Sequence, residues 1–197
     1  SKRRNKAWYR IARLGADFYQ DLIADLKVAG IQTDFYQQTG VYLLKKDESK
    51  LQELYDLASN RREESLLIGE LSLLSRQEAQ EKFPDLQGFE RLLYASGGAR
   101  VEGALLTETL LKASKAELVE KKVRLTVEGE QLLVDGRSFD CVVLAVGAWL
   151  GEILQPLGYE TDVHPQKGQL RDFKLAEKTD DYPVVMPEGE LDIIPFL

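Results

Sequence analysis

The sequence predicts a chain of mixed α/β and α+β architecture, in which a doubly wound layer is combined with a second part built on a mixed, mainly antiparallel sheet with flanking helices. Three patterns support this prediction. Long stretches carry apolar residues at steps of three and four, as amphipathic helices do. The uninterrupted apolar run 141–145 is typical of a strand covered on both faces. The segment 156–197 contains short apolar runs separated by turn residues, as antiparallel strands do.

The first half of the chain alternates helices with short strands. Residues 5–29 predict a long amphipathic helix, with Asn5 as a possible N-cap and Gly30 as a possible C′ residue. The aromatic and β-branched segments Thr33–Gln37 and Val41–Leu44 predict a hairpin, since turn residues separate them.

Helical spacing returns at Leu51, Leu54 and Ala58. Ser75 and Glu78 stand three apart, which is the capping-box arrangement of a helix start, and Phe83-Pro84 is expected to end that short helix.

A strand–turn–helix unit is predicted from residue 91. Arg91–Ala95 indicates the strand, the following Ser-Gly-Gly the turn, and Leu105, Leu106, Leu110 and Ala113 the buried stripe of the helix. The alternation at Val123–Val127 predicts a further strand, and the run 141–145 leads directly into a glycine and a short helix at Leu150–Leu154.

Three strands are expected in the last part of the chain, at Val163–Phe173, Val184–Met186 and Leu191–Ile194. The segments 1–90 and 156–197 are therefore expected to form one layer, with 91–155 as an inserted α/β segment.

Composition indicates a soluble globular protein. The chain has 197 residues, 44% of them apolar and 30% charged, and a formal net charge of −7 from 26 basic and 33 acidic side chains. No apolar run approaches the roughly eighteen residues of a membrane span, and nothing at the start resembles a secretory signal. We therefore predict a cytoplasmic protein without a membrane span.

Cysteine and histidine occur once each, as Cys141 and His164. An internal disulfide and the usual Cys/His zinc sites are thereby excluded, and no metal is predicted, although a magnesium site of carboxylates alone stays open. Cys141 opens an apolar strand and is expected to be inert core. His164 is the single histidine and precedes Pro165 on a predicted strand, so no Ser/His/Asp or Cys/His arrangement is proposed and no catalytic residue is named.

The start of the chain is a local basic patch without any acid, formed by Lys2, Arg3, Arg4, Lys6, Arg10 and Arg13. A nucleic-acid surface requires such a patch to continue along a face, and this one stops within residues 1–15. We interpret it as a solvated helix start or as a contact for acidic or phosphate groups, and predict no nucleic-acid partner.

Three short patterns can each be explained either by a bound ligand or by a purely structural role. Gly147 follows a buried strand, where a glycine lets a ligand approach the backbone or simply forms a tight turn. Arg100 stands beside a predicted helix start, in a turn that could hold an anion. Lys167, Gln169 and Arg171 alternate along one strand and either line a pocket or face water. The sequence contains neither the Gly-x-Gly-x-x-Gly fingerprint nor a phosphate loop.

Five segments in order resemble the superfamily of FAD-dependent D-amino-acid, glycine and sarcosine oxidases: Tyr94–Val101, the short strand at Val123, Val142–Trp149, Pro165–Leu170 and Leu191–Pro195. The resemblance implies a partial FAD-binding layer of Rossmann type at 91–155. It implies a substrate domain in two parts, 1–90 and 156–197.

The resemblance also implies the chemistry, which is hydride transfer from the amine-bearing carbon of a small amine or amino acid to the flavin. By position, the residues that would contact FAD are Val123, Ala145, Val146, Gly147 and Trp149. The candidates for the substrate pocket are Asp192, Phe196 and Gln169. Asp192 either faces an amine or is a solvated strand residue.

The glycine-rich loop that holds the FAD pyrophosphate in this family has no counterpart in the sequence, nor does the segment with the family's substrate-binding arginine. We therefore expect an internal piece of an oxidase that is inactive alone and binds FAD weakly or not at all. The alternative is a non-catalytic binding or interaction domain. In either case, exposed edges are expected to favour a homo-oligomer.

Overall fold

The computed structural model describes residues 6–189 and 191–196. It divides the chain into two compact units. Unit 1 consists of Ser1–Ala116 with Leu175–Leu197, and unit 2 of Glu117–Lys174. The functional domains assigned from the sequence, with boundaries near 90 and 155, stay a prediction, because compactness alone does not say which part binds a cofactor.

The helices are α1 (Lys6–Val28), α2 (Glu48–Glu64), α3 (Arg76–Gln80), α4 (Gly103–Ser114) and α5 (Leu150–Leu154). The strands are β1 (Tyr36–Gln37), β2 (Val41–Leu44), β3 (Leu71–Ser75), β4 (Arg91–Ala95), β5 (Arg100–Val101), β6 (Leu125–Glu128), β7 (Gln131–Val134), β8 (Arg137–Ser138) and β9 (Val184–Met186). Single 3₁₀ turns lie at Leu66–Ile68, Gly147–Trp149 and Gln155–Leu157.

Helix α1 ends as predicted. Gly30 has φ +73°, the N–H of Ile31 donates to the Leu26 carbonyl (2.9 Å), and the N–H of Gly30 donates to the Lys27 carbonyl (3.0 Å). These two bonds satisfy the last carbonyls of the helix in a Schellman motif. The predicted N-cap Asn5 lies outside the described residues.

A four-stranded sheet in the order β3-β4-β2-β9 forms the centre of unit 1. β4 is antiparallel to both β3 and β2, whereas β2 is parallel to β9. One face buries Tyr42, Leu92 and Val185 with Ala79 of α3. The other face buries Leu93 against Leu51 and Leu54 of α2. Both faces of this sheet are therefore covered by helices.

The capping box of α3 is confirmed. The N–H of Glu78 donates to the Ser75 hydroxyl, and the Glu78 carboxylate accepts from the N–H of Ser75 (2.7 Å). The box satisfies two backbone donors at the helix start.

The predicted hairpin of Thr33–Gln37 with Val41–Leu44 is not formed. β1 pairs with β5, and β2 pairs with β4 and β9. At Gly40, where φ is +87°, the N–H donates to the carbonyl of Gly98 (2.8 Å). The chain turns there, and so β1 and β2 bond to successive parts of the segment 91–101 instead of to each other.

Two predicted apolar stripes are only partly covered. On α1, Trp8, Ile11 and Phe18 of the predicted stripe are 47–73% exposed, and only Leu26 is buried. On α4, Leu105 and Leu110 are 37% and 38% exposed, and the buried residue is Thr109. Helical periodicity therefore locates both helices but does not show how much of each apolar face is covered within this chain.

Unit 2 is built on the antiparallel meander β6-β7-β8. β6 and β7 are joined at Gly129, where φ is +63°. The strands predicted at 141–145 and at Val163–Phe173 are not formed, and neither segment pairs with a strand among the described residues. Because an unpaired segment keeps one side open, Cys141 is exposed, which corrects the expectation of an inert core cysteine.

The strand expected at Leu191–Ile194 is reduced to one bridge. Val185 and Ile193 exchange two backbone hydrogen bonds of 2.9 and 2.8 Å. Val184–Met186 forms β9 as predicted.

Burial of Tyr42 makes the stability of this fold depend on pH at alkaline values. Its side chain is fully buried, its hydroxyl donates to the Ala79 carbonyl (3.1 Å), and burial raises its pKa to about 12. The folded state therefore holds this proton more tightly than the unfolded chain, whose tyrosines titrate near about 10. Stability contributed by the neutral phenol is present below that pH and is lost as pH rises through about 12.

The substitution Tyr42→Phe is expected to remove part of the loss of stability on going from about pH 9 to about pH 11.5. Urea midpoints of both proteins at the two pH values measure it. Tyr159→Phe is the control, since Tyr159 is 63% exposed. An equal alkaline loss in Tyr42→Phe and in the unsubstituted chain contradicts the assignment.

Candidate functional site

A cleft of about 1230 Å³ lies within unit 2. It is lined by β6 with the residues before it, by residues 142–144 and 146, and by α5 with the turn after it. Its apolar lining consists of Val123, Leu125, Val127, Val134, Val142, Val143, Leu144, Val146, Ile153, Pro156 and Leu157. Residues 142–146 pair with no strand among the described residues, so the cleft combines apolar side chains with peptide groups outside any sheet.

The residues before β6 are fixed by an aspartate. The N–H of Arg124 donates to the Asp135 carboxylate (2.8 Å), and the N–H of Asp135 donates to the Arg124 carbonyl (2.9 Å). Lys121 pairs with the same carboxylate at 2.6 Å, and this hydrogen bond lowers the pKa of Asp135. Val123 therefore lies between two residues that Asp135 holds. The charged side chains of the cleft are Lys122, Arg124 and Glu152.

Two of the five predicted cofactor residues lie in this cleft. They are Val123, which precedes β6, and Val146, which precedes the 3₁₀ turn at Gly147–Trp149. Ala145 and Trp149 are exposed, and Gly147 begins the 3₁₀ turn after the cleft. A β-carbon at Gly147 would meet nothing within 4 Å, so its φ of +54° and not a close approach favours glycine there.

The cleft fits the adenine end of FAD. An adenine ring requires flat apolar contact and a few peptide donors and acceptors. Apolar side chains from β6 and from 142–146 and the unpaired backbone of that segment supply both. Lys122 and Arg124 add positive charge next to Val123, which suits the phosphates of a nucleotide.

A second, more polar cavity of about 520 Å³ lies in unit 1. It is lined by Gln38, Thr39, Glu81, Lys82, Tyr94, Ser96, Asp181 and Tyr182. The Gln38 amide donates to the Ser96 carbonyl (3.2 Å), and the Lys82 ammonium lies 5.3 Å from the centre of the Tyr94 ring. This cavity has no counterpart among the predicted site residues.

Arg100 lies on β5 and is 5% exposed. Its Nη2 donates to the Gln37 amide oxygen and to the Asp180 carbonyl (2.6 Å). Burial lowers its pKa, which Asp180 and Asp181 partly oppose. The helix start nearby is occupied, because the Glu102 carboxylate accepts from the N–H groups of Ala104 and Leu105. The turn therefore does not offer the α4 amides to an anion.

The three candidates for the substrate pocket belong to different units. Asp192 is exposed in unit 1. Phe196 is 43% exposed in the same unit, with its ring centre 5.6 Å from the Arg100 guanidinium. Gln169 is exposed in unit 2, on the segment where the predicted strand is not formed. The roles of all three stay predictions.

Sequence reasoning missed most of the cleft and the whole polar cavity. The alternation of Val123, Leu125 and Val127 could have indicated the cleft wall, because alternate residues of a strand face the same side, and all three line the cleft. No local pattern joins Thr39 to Asp181, which are far apart in sequence.

Comparison with known proteins assigns the family. The family of FAD-dependent oxidoreductases matches residues 1–196, so the chain belongs to it. It is 36% identical over 205 aligned positions to the uncharacterized oxidoreductase YurR of Bacillus subtilis, covering all of this chain and 55% of that protein. It is 32% identical to a glycine oxidase of Pseudomonas putida, over 85% of this chain and 47% of that enzyme.

Solved structures agree with this assignment. The iminodiacetate oxidase of Chelativorans sp. BNC1 matches 96% of this chain with a TM-score of 0.83 and 29% identity. The glycine oxidase of Geobacillus kaustophilus, at 21% identity and a TM-score of 0.71, shares the fold. The chain spans about half the length of these relatives. The predicted fold class and the resemblance to this superfamily are confirmed.

Two further findings concern the described residues alone. None of their helices is long and apolar enough to cross a membrane. No three of their His, Cys, Asp or Glu side chains are grouped to hold a metal ion.

Proposed function

We propose that a protein containing this chain oxidises a small amine or amino acid, passing a hydride from the amine-bearing carbon to FAD. The observation that carries the proposal is the unit 2 cleft, in which Val123 and Val146 share one apolar site. Family membership supports the flavin, and relatives described as glycine and iminodiacetate oxidases support an amine substrate. When bound, FAD supplies the hydride acceptor.

In this proposal the chain's residues bind and orient the adenine end. Val123 and Val146 contact the ring with their side chains and peptide groups, and Asp135 fixes the residues around Val123. Ala145, Gly147 and Trp149 would continue along the cofactor from the end of the segment 142–146. Lys122 and Arg124 offset phosphate charge.

The substrate side is assigned to residues 1–90 and 156–197, with Asp192, Phe196 and Gln169 as pocket residues. The exposed carboxylate of Asp192 is suited to attract a cationic amine. We assign no catalytic residue, and place the protein in the cytoplasm.

A second candidate is an interaction domain that keeps the fold without the cofactor. The exposed apolar side chains of α1, such as Ile11 at 73% and Phe18 at 60%, favour it. A homo-oligomer formed through this face or through unpaired edges is its expected state. Light scattering of the chain at several concentrations reports its mass.

The decisive experiment compares the 197-residue chain with the full-length protein that contains it. The chain is expected to purify without flavin and to bind FAD weakly, because its sequence carries no glycine-rich loop for the pyrophosphate. The full-length protein is expected to carry FAD, whose visible absorption is bleached anaerobically by an amine or amino acid. If the full-length protein carries no flavin, the proposed cofactor is wrong. If no amine or amino acid reduces its flavin, the proposed substrate class is wrong.

A further inference from the structure

Helix α1 is bound to the rest of unit 1 along one side. The Arg13 guanidinium donates to the Glu64 carbonyl at the end of α2 (3.2 Å), and the Gln20 amide donates to the Tyr36 hydroxyl of β1 (3.2 Å). Arg13 and Gln20 are seven residues apart, which is close to two helical turns, so both lie on one line along the helix. These contacts define the inner side of α1.

The opposite side of α1 is apolar and open. Ile11, Leu14 and Phe18 follow one another at steps of three and four, so they form one stripe, and each is more than half exposed. The centre of this α1 stripe is about 140° around the helix from the line of Arg13 and Gln20. The contacts that hold α1 in place therefore leave the α1 stripe uncovered.

Two opposite charges border the α1 stripe on the same flank. Arg10 and Asp21 are exposed and eleven residues apart, so they lie on one line along the helix, separated by about 16 Å. Leu14 lies next to this line, and the midpoint of the two charges falls between Leu14 and Phe18. None of the ion pairs found among the described residues includes Arg10 or Asp21. Both charges are therefore placed to meet a partner that covers the stripe.

We propose that a second copy of this chain covers the α1 stripe, with the two α1 helices antiparallel and related by a twofold axis. In such a pair, a residue that contacts another residue of the second copy is contacted by the same residue in return. Arg10 of each copy then lies opposite Asp21 of the other copy, and Leu14 lies near Phe18 of the other copy.

The charges select the antiparallel orientation. A parallel pair would place Arg10 against Arg10 and Asp21 against Asp21, and like charges in contact oppose association. Exposed ion pairs contribute little affinity, so burial of the apolar stripe is expected to supply most of it.

This inference rests on the homo-oligomer expected for the second candidate function and names its interface. No residue of the interface lines the cleft of unit 2. The dimer can therefore be tested without FAD, and its result leaves the proposed oxidation of amines unaffected.

Sedimentation equilibrium of the 197-residue chain measures the dimer. Arg10→Glu and Asp21→Arg, each alone, are expected to weaken dimerisation at least about tenfold, because each places like charges at two symmetric contacts. The double variant carries opposite charges again and is expected to dimerise like the unsubstituted chain. Phe18→Lys is expected to weaken the dimer by more than about tenfold, since it removes apolar burial.

A mixture of the two single variants tests the pairing itself. In the mixed dimer, opposite charges meet at both contacts, whereas like charges meet in each homodimer. The mixed dimer is therefore expected to predominate. Native mass spectrometry resolves the three dimers, because the two variants differ in mass.

Lys27→Glu is the matched control. It reverses one exposed charge of α1, and Lys27 lies seven residues after Gln20, on the line of the inner side. This variant is expected to dimerise like the unsubstituted chain.

Three results with the 197-residue chain would overturn the proposal. A monomer at every concentration contradicts both the interface and the expected homo-oligomer. A dimer that the single reversals leave unchanged, or a mixture without preference for the mixed dimer, contradicts this interface alone. The proposal also fails if the reversals weaken the dimer of the chain but leave the mass of the full-length protein unchanged. The stripe would then be covered by polypeptide outside residues 1–197.

Discussion

Gly97→Ala is expected to destabilise the chain by at least about 3 kcal/mol, which is a large share of the stability of a small domain. A β-carbon at Gly97 would lie 1.7 Å from the Leu67 carbonyl oxygen and 2.6 Å from the backbone of Ile68. These atoms belong to the backbone and cannot turn aside as a side chain does. The N–H of Gly97 also donates to the Ile68 carbonyl (3.0 Å), so the two segments are held together at this distance.

Gly98 offers an independent test of the same packing. Its β-carbon would lie 2.4 Å from the Val41 nitrogen and 2.5 Å from the Gly40 carbonyl carbon. Gly98→Ala would therefore separate the turn after β4 from the start of β2, and a comparable loss is expected.

Gly15→Ala is the matched control. Gly15 lies inside α1, where an added β-carbon meets nothing within 4 Å. Alanine is the better helix former by about 0.5–1 kcal/mol, so this variant is expected to be slightly more stable. Urea unfolding followed by circular dichroism compares the three variants. A loss below about 1 kcal/mol in both Gly97→Ala and Gly98→Ala would contradict the packing described at this turn.

Elements with a strong local signal were predictable from the sequence. The capping box at Ser75 and the glycine stop of α1 at Gly30 involve residues within a few positions of one another, and both formed as predicted. The helix periods of α1 and α2 were equally visible, because an amphipathic pattern depends only on spacing.

Pairings between distant segments were not predictable in the same way. The sequence between Thr33 and Leu44 has the composition of a hairpin, yet β1 bonds to β5, because Gly98 allows the backbone of Gly40 to approach it closely. The apolar run 141–145 has the composition of a buried strand, but burial also requires partner strands, and none pairs with it among the described residues.

At the candidate sites too, sequence patterns predicted some residues and missed those that only long-range contacts bring together. Val123 and Val146 were named from the order of family-like segments, and the structure brings both to one cleft. Arg100 was considered only as part of a turn, and its burial with Gln37 and Asp180 as partners became visible only in the structure.

Val146→Asp is expected to weaken binding of FAD to unit 2 at least tenfold, or 1.4 kcal/mol. Val146 lines the cleft together with Val123 and Leu144. A carboxylate at this position would lose water on contact with an adenine ring and would repel the phosphates, and both effects oppose binding. The wall of the cleft would otherwise change little, since aspartate and valine are similar in size.

The measurement distinguishes binding of the adenine half of FAD from binding of its flavin half. The 197-residue chain is titrated with FAD, with AMP and with FMN while NMR shifts of unit 2 are followed. FAD and AMP share the adenine that we assign to the cleft, so both are expected to shift the resonances of Val123 and Val146. FMN carries the flavin without adenine and is expected to leave them unchanged.

Val119→Asp is the control for added charge, because Val119 belongs to unit 2, is 58% exposed and does not line the cleft. It is expected to bind FAD and AMP as the unsubstituted chain does. If FMN shifts the same resonances as FAD, or if Val119→Asp and Val146→Asp are equally impaired, the adenine assignment fails. Since AMP carries no flavin, this result would stand whatever substrate the full-length protein oxidises.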